Sequence, residues 1–438
     1  MKITRLITAV VPVLLLTGCT FGSSIDSLMT PPKLSVEQQQ IYNALTDATG
    51  TSISLKYPKS GKYLSAFIID DIDGDGGNEA VVFYEKNSIA VEENTLRINI
   101  LDSSGGNWRS VCDTPAKGSE IEKVMISQLG SNERVNLIIG SSLINRSEKN
   151  VSFYTYSNGK IEETFSSSYS FMDVTDLDGD SQNEFLFLEG SSMGSFAKAN
   201  ALRLDSDDKF HTFVCPLDGN FTEFDSVSYG TIPNGRTAMY IDAFSGTGLI
   251  QTDVLYMDEM GLQKVFPDQS ESFSTVRSAG CSSFDIDGDG TIEIPVQTVA
   301  PGYEEIPESE QLKITEWKTI NNDNVLEKKY SSYYSINAGY IFVFPEKWQN
   351  SVTLRRDPIN DEIVFYAYSD GSLQRELLRI YYAEDEISRD DRITSGYMLL
   401  HTKGESSCLA LIPDDSSQNT DGLSLSAGDT AICFRFRE

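Results

Sequence analysis

Asp71-Ile-Asp73-Gly-Asp75-Gly-Gly-Asn-Glu79 reads as an acidic turn, and the chain of 438 residues contains it three times. It returns as Asp176-Leu-Asp178-Gly-Asp180-Ser-Gln-Asn-Glu184 and as Asp285-Ile-Asp287-Gly-Asp289-Gly-Thr-Ile-Glu293. Each copy has aspartate at positions 1, 3 and 5, an apolar residue at 2, glycine at 4 and glutamate at 9. The copies start 105 and 109 residues apart, which is long for one supersecondary unit. Halfway between them, around Gln128 and Ser228, lie two further segments. Each has an apolar run, a polar turn and a second apolar run, without the carboxylates. Counting these two, the spacing becomes 57, 48, 52 and 57 residues, and a period near 50 signals a repeat architecture.

Each unit has the same internal order. In the first, residues 64–70 (LSAFIID) precede the acidic turn, and residues 80–84 (AVVFY), 95–101 (TLRINIL) and 108–112 follow it. These are four short β-type runs separated by Gly, Ser and Asn, the composition of a propeller blade. The reading is a mainly β protein: a β-propeller of about five four-stranded blades over residues 51–336, plus a small C-terminal α/β domain over 337–438. Ahead of it, residues 20–50 read as a tether and a short helix. Ser35 stands at the N-cap, Gln38 at the capping-box position, Ile41, Leu45 and Ala48 form one face, and Gly50 is the stop.

Three aspartates at alternate positions around a glycine crowd negative charge into a few ångströms, and a hard divalent cation converts that repulsion into oxygen coordination. No His or Cys lies in the loops, which argues against zinc and copper. Mg²⁺ resists dehydration by an all-protein cage, so calcium, at about three sites, is the expected ion. An EF-hand would need a glutamate at position 12, where this chain has Val82, Phe187 and Val296, and its flanks are β-type rather than helical. The loops instead resemble those of the FG-GAP/VCBS repeat propellers, which include the integrin α-subunit propeller. That resemblance implies side-chain ligands Asp71, Asp73, Asp75 and Glu79; Asp176, Asp178, Asp180 and Glu184; and Asp285, Asp287, Asp289 and Glu293. It assigns backbone carbonyls to Gly77, Gln182 and Thr291. The chain departs from the family in ending each loop on Glu and in placing Ser181 where the other copies have Gly, which predicts a looser second site.

Residues 1–19 read as an export signal: Lys2 and Arg5, an apolar stretch too short to span a bilayer, then Leu16-Thr17-Gly18-Cys19. The ending resembles the lipobox of bacterial lipoproteins, which implies that Cys19 is lipidated and becomes the first mature residue. The expected location is therefore the extracytoplasmic face of the cell membrane, held by a lipid anchor. A formal charge of −30 leaves no cation excess to neutralise phosphates, so nucleic acid is not an expected partner. Five further cysteines, Cys112, Cys215, Cys281, Cys408 and Cys433, form no C-x-x-C pattern. They read as buried thiols, with Cys408–Cys433 the one pairing left open.

The C-terminal phrase GYIFVFPEKW…VTL…IVFY…LLRIYY (339–382) resembles the small Mog1/PsbP-like domains. It implies one or two helices, for which residues 372–378 and Trp348 are the candidate starts, while residues 384–392 (EDEISRDDR) read as a solvated charged loop. Only His211 and His401 are available as imidazole bases, and no nucleophile-elbow, phosphate-loop or dinucleotide motif occurs. The leading functional reading is a non-enzymatic binding, scaffold or adhesion module whose partner is an extracellular protein or glycan. The alternative is an envelope glycan hydrolase working through paired carboxylates on the propeller face, with Tyr330, Tyr333 and Tyr334 stacking on sugar. No catalytic residue is assigned.

Overall fold

The computed structural model describes residues 34–87, 96–143, 148–413 and 421–437. The export signal, Cys19 and most of the tether lie outside the described residues. Helix α1 (Val36–Thr49) opens the described chain. Ser35 accepts from the Gln38 N–H at 3.1 Å, Gln38 Oε1 accepts from the Ser35 N–H, and Gly50 ends the helix. Ile41 and Leu45 are its buried residues.

The rest is mainly β, in six antiparallel sheets. The first contains Phe67–Asp70, Glu79–Lys86, Leu96–Ser104 and Asn107–Pro115, with Ile53–Leu55 sharing an edge. The second is the meander Glu120–Ser127, Asn136–Ser142, Lys149–Ser157 and Lys160–Tyr169. The third runs Phe171–Thr175, Glu184–Glu189, Lys198–Leu204 and Phe210–Pro216. The fourth runs Phe224–Thr231, Thr237–Gly246, Leu249–Asp258 and Gly261–Lys264, with Arg277–Ser278 added after the short helix α2 (Gln269–Phe273). The fifth runs Ile294–Val299, Lys313–Ile320, Leu326–Ser335 and Tyr340–Val343. The first two acidic turns and the two intervening turns each join consecutive paired strands of one sheet, while the third acidic turn runs from the isolated bridge Phe284–Glu293 into the first strand of the fifth sheet, and one period of about 50 residues runs through all five.

Strand alternation makes each sheet two-faced, and the faces pack in chain order. Val81 and Phe83 of the first sheet meet Leu137 and Ile139 of the second. Ile138 and Phe153 of the second meet Phe185 and Phe187 of the third. Leu186 and Leu188 then meet Met239 and Ile241 of the fourth, and Ala238 and Tyr240 meet Ile292 and Ile294 of the fifth. The remaining face of the first sheet, Ala80, Val82 and Tyr84, is covered by Ile41 and Leu45 of α1.

Several sequence expectations change beyond residue 336. Tyr340–Val343 is the fourth strand of the fifth sheet, and the last strand, Phe434–Phe436, returns to pair with it (Phe342 with Phe434). Both edges are apolar, with Tyr340 stacked on Phe434, so the chain end docks on a sheet begun about 140 residues earlier. Residues 372–378 belong to the strand Ser372–Ala383, and Trp348 closes a 3₁₀ turn, Glu346–Trp348, rather than opening a helix. The charged run expected as a loop contains helix α3 (Glu386–Thr394). Asp385 caps it through the Ser388 N–H at 2.7 Å, and Arg392 holds it to buried Glu362 at 2.9 Å. The sixth sheet is Val352–Asp357, Glu362–Ser369, Ser372–Ala383, Met398–Lys403 and Ser406–Leu411, and a final helix, α4 (Ala427–Cys433), precedes the last strand. All five described cysteines carry free thiols, so Cys408 and Cys433 do not pair. No helix among the described residues is long and apolar enough to cross a membrane.

Candidate metal centres

Each acidic loop is a ring of side-chain-to-backbone bonds with the same wiring. The first aspartate accepts from the N–H at position 4 (Gly74 2.6 Å, Gly179 2.7 Å, Gly288 2.6 Å) and from that at position 6 (Gly76 3.0 Å, Ser181 2.8 Å, Gly290 2.8 Å). The aspartate at position 5 accepts from position 7: Gly77 at 2.7 Å, Gln182 at 2.8 Å and Thr291 at 2.8 Å. These bonds anchor the N–H groups of the three residues expected to offer carbonyls. The glutamate at position 9 turns back so that Oε2 accepts from the N–H at position 2: Ile72 3.0 Å, Leu177 2.8 Å and Ile286 2.9 Å. The buried apolar side chains at position 2 fasten this closure to the core.

Position 4 shows why glycine recurs, since Gly74, Gly179 and Gly288 all have φ near +80°. Ser181 adopts the same left-handed backbone (φ +69°) as Gly76 and Gly290, at a cost of roughly 1–2 kcal/mol for a residue with Cβ. The second loop therefore keeps the wiring of the others.

The wiring brings carboxylates together. Ligand oxygens of Asp71, Asp73 and Glu79 lie within 4.8 Å of one another, as do those of Asp176, Asp178 and Glu184, and those of Asp285, Asp287 and Asp289. Asp75, Asp180 and Glu293 stand outside these tight groups, Glu293 being linked to the aspartates of its loop by Lys329. The glutamates are buried at 4%, 0% and 0% exposure. Burial, with the charges of Asp73, Asp75 and Asp71 adding to it, pushes Glu79 up to about 7. Burial also raises Glu184 and Glu293, against the opposing pull of Arg203 and Lys329. The donor set is all oxygen, partly buried and strongly anionic, so the three clusters fit a hard metal ion.

Two loops include a cation that the repeat pattern does not reveal. Arg203 bonds Glu184 Oε1 at 2.8 Å and also Asp178. Lys329 Nζ lies 2.8 Å from Asp287, 2.7 Å from Asp289 and 2.8 Å from Glu293, and the Tyr330 hydroxyl donates to Asp287 at 2.7 Å. Both cations come from later strands, so only strand register could have pointed to them. Residues at the two intervening segments brace the loops: the Gly130 N–H donates to the Asn183 carbonyl and the Thr231 N–H, at the end of its strand, to the Gly290 carbonyl, both at 2.8 Å. His211 is exposed and paired with Asp205 at 2.8 Å, while His401 stacks on Phe436. Of the tyrosines considered for sugar stacking, Tyr334 is buried beside Trp317 and Tyr333 packs against Phe365.

No family model matches the chain, and no curated protein matches it either. Solved structures do resemble it, at low identity. An exotype rhamnogalacturonan lyase, YesX, is 11% identical with a TM-score of 0.28; the match covers 74% of this chain and 62% of the lyase, so the chain spans less than two thirds of that protein. A functionally unknown protein from Desulfotomaculum acetoxidans is 10% identical (TM-score 0.29, 71% and 84% covered). A protein from Lactobacillus plantarum is also 10% identical (TM-score 0.27, 74% and 94% covered). These neighbours are all-β, propeller-like folds, and at such scores none carries an argument about activity or substrate.

Proposed function

We propose that the chain is an extracytoplasmic, lipid-anchored binding or scaffold module. In this reading its β-propeller of about five blades is stapled by calcium and carries a small C-terminal α/β domain. The carrying observation is the identical wiring of three acidic loops, each at the same place in its own sheet. The first two loops each join two paired strands and the third joins the Phe284 bridge to the strand Ile294–Val299, so an ion held there would tie the two paired segments together. Asp71, Asp73, Asp75 and Glu79 and their counterparts would supply the side-chain oxygens, with the carbonyls of Gly77, Gln182 and Thr291 completing each set. Extracellular calcium modules commonly work at ~10⁻⁴–10⁻³ M, and an ion at ten times its dissociation constant would stabilise the fold by ~1.4 kcal/mol per site.

The FG-GAP/VCBS resemblance of the loops supports calcium over other ions, and the lipobox-like ending at Cys19 supports the anchor. The non-enzymatic reading is supported by the engagement of both histidines and of Tyr333 and Tyr334 in structural contacts. Its partner would be an extracellular protein or glycan. The test is thermal melting of the full chain in calcium and in EDTA. Calcium should raise the melting temperature, and Asp71→Asn/Asp176→Asn/Asp285→Asn should erase most of the difference. An unchanged melting curve in EDTA would overturn the staple.

A further inference from the structure

The three loops share a backbone but differ in what the sheet presents to them. In the third sheet, the position facing Glu184 is one step beyond the Phe185–Leu202 pair and holds Arg203, whose guanidinium bonds Glu184 and Asp178 and lies 3.8 Å from Asp180. In the fifth sheet the corresponding position, one step beyond Ile294–Lys318, is Thr319, and the cation arrives from the following strand. There the register slips between Trp317 and Lys318, leaving Lys329 as the extra residue of a bulge, with Nζ among Asp287, Asp289 and Glu293. In the first sheet the residue paired with Glu79 is Asp102. Asp102 is in turn paired across the sheet with Arg109, which among the described residues forms no ion pair with the loop. A fifth carboxylate therefore stands where the second loop has a guanidinium.

We infer that the three loops are unequal sites: the first, enlarged by Asp102, takes a divalent cation first, while in the second and third the ion must displace Arg203 or Lys329. This rests on the reading of the loops as calcium sites. An ion entering the first loop meets its four carboxylates with Asp102 facing Glu79, and among the described residues no Lys or Arg is ion-paired with those four. In the other two it meets four carboxylates already neutralised in part, and the displaced Arg or Lys loses short ion pairs. Bracing works in the same direction. The second and third loops are tied to the preceding sheet through Gly130 and Thr231, whereas among the described residues no sheet precedes the one that carries the first loop. Without metal, the second and third loops are held by protein contacts, while the first keeps its mutual repulsion.

The test is calcium titration of the chelator-treated full chain by calorimetry, with melting in chelator as a second readout. One ion should bind at least about tenfold more tightly than the other two, a gap of about 1.4 kcal/mol. Asp102→Asn should weaken that tight phase alone by a similar factor and raise the melting temperature in chelator. Arg203→Gln and Lys329→Gln should each tighten one weak phase by a similar factor while lowering the melting temperature in chelator, a pairing that a purely structural role would not produce. Three ions of equal affinity, an unchanged tight phase in Asp102→Asn, or weak phases unmoved by Arg203→Gln and Lys329→Gln would overturn the inference and leave the calcium reading standing. Absence of calcium binding in every variant would overturn both.

Discussion

Removing the carboxylate of Asp242 is the sharpest test of how the third loop is held in place. Asp242 and Arg277 are both buried and bonded at 2.8 Å. Arg277 also donates to the Cys281 carbonyl at 2.6 Å, to Thr252 Oγ1 at 2.8 Å, to the Thr275 carbonyl at 2.9 Å and to Ser283 Oγ at 3.0 Å. Asp242 in turn accepts from the Ser283 N–H at 2.5 Å, two residues before Asp285. The network thus fixes the incoming arm of the third loop to the fourth sheet. Asp242→Ala leaves a guanidinium buried without its counter-charge, which costs about 3–5 kcal/mol. Asp242→Ala/Arg277→Met should recover part of that loss, because the charge goes but stranded hydroxyls remain, at about 1 kcal/mol or more each. Urea unfolding at pH 7, followed by tryptophan fluorescence, measures both variants; Trp317 packs in the same cluster as Cys281. A loss below about 1 kcal/mol for Asp242→Ala would refute the reasoning, since a buried cation cannot lose its carboxylate so cheaply.

Other perturbations act on separate features. Burial pushes Asp253 up to about 6, against offsetting bonds from Ser272 and the Asp218 N–H. Because its unfolded value is near 3.9, the stability it contributes is fully present below about pH 4, falls as pH rises towards 6 and stays lost above; Asp253→Asn should flatten that slope in pH-dependent unfolding and gain about 1–2 kcal/mol at pH 7. Ser181→Gly should stabilise the chain by about 1 kcal/mol in urea unfolding by relieving the left-handed backbone without disturbing the bonds to Asp176. Leu45→Ala should cost about 2–5 kcal/mol and expose the outer face of the first sheet, seen as increased binding of an apolar dye.

Short-range signals in the sequence carried much of this structure. The Ser35–Gln38 capping box, the Gly50 stop and the acidic turns between β runs are set by residues within nine positions of one another, and the structure has them where the pattern places them. Rejection of an EF-hand followed from the residues at position 12 and from the β-type flanks; strands flank the first two loops, and the third runs from the Phe284 bridge into the strand Ile294–Val299. What the pattern did not show depends on partners distant in the chain. Arg203 reaches Glu184 because two strands align, and Lys329 reaches its loop because a bulge adds one residue. The return of Phe434–Phe436 to the fifth sheet is a pairing across about 90 residues with no local signature. Residues 384–392 face solvent as their charge density suggested, with no buried residue in the helix, but they form a helix rather than a loop, because Asp385 caps it and Arg392 reaches back to Glu362.

The most direct measurement is the amount of calcium bound per chain in equilibrium dialysis of chelator-treated protein at millimolar calcium. Three oxygen-lined sites should give saturable uptake approaching three ions, reduced by one in each of Asp71→Asn, Asp176→Asn and Asp285→Asn. Uptake indistinguishable from a triple Asp→Asn variant would mean that these oxygen-lined turns hold no ion and staple nothing.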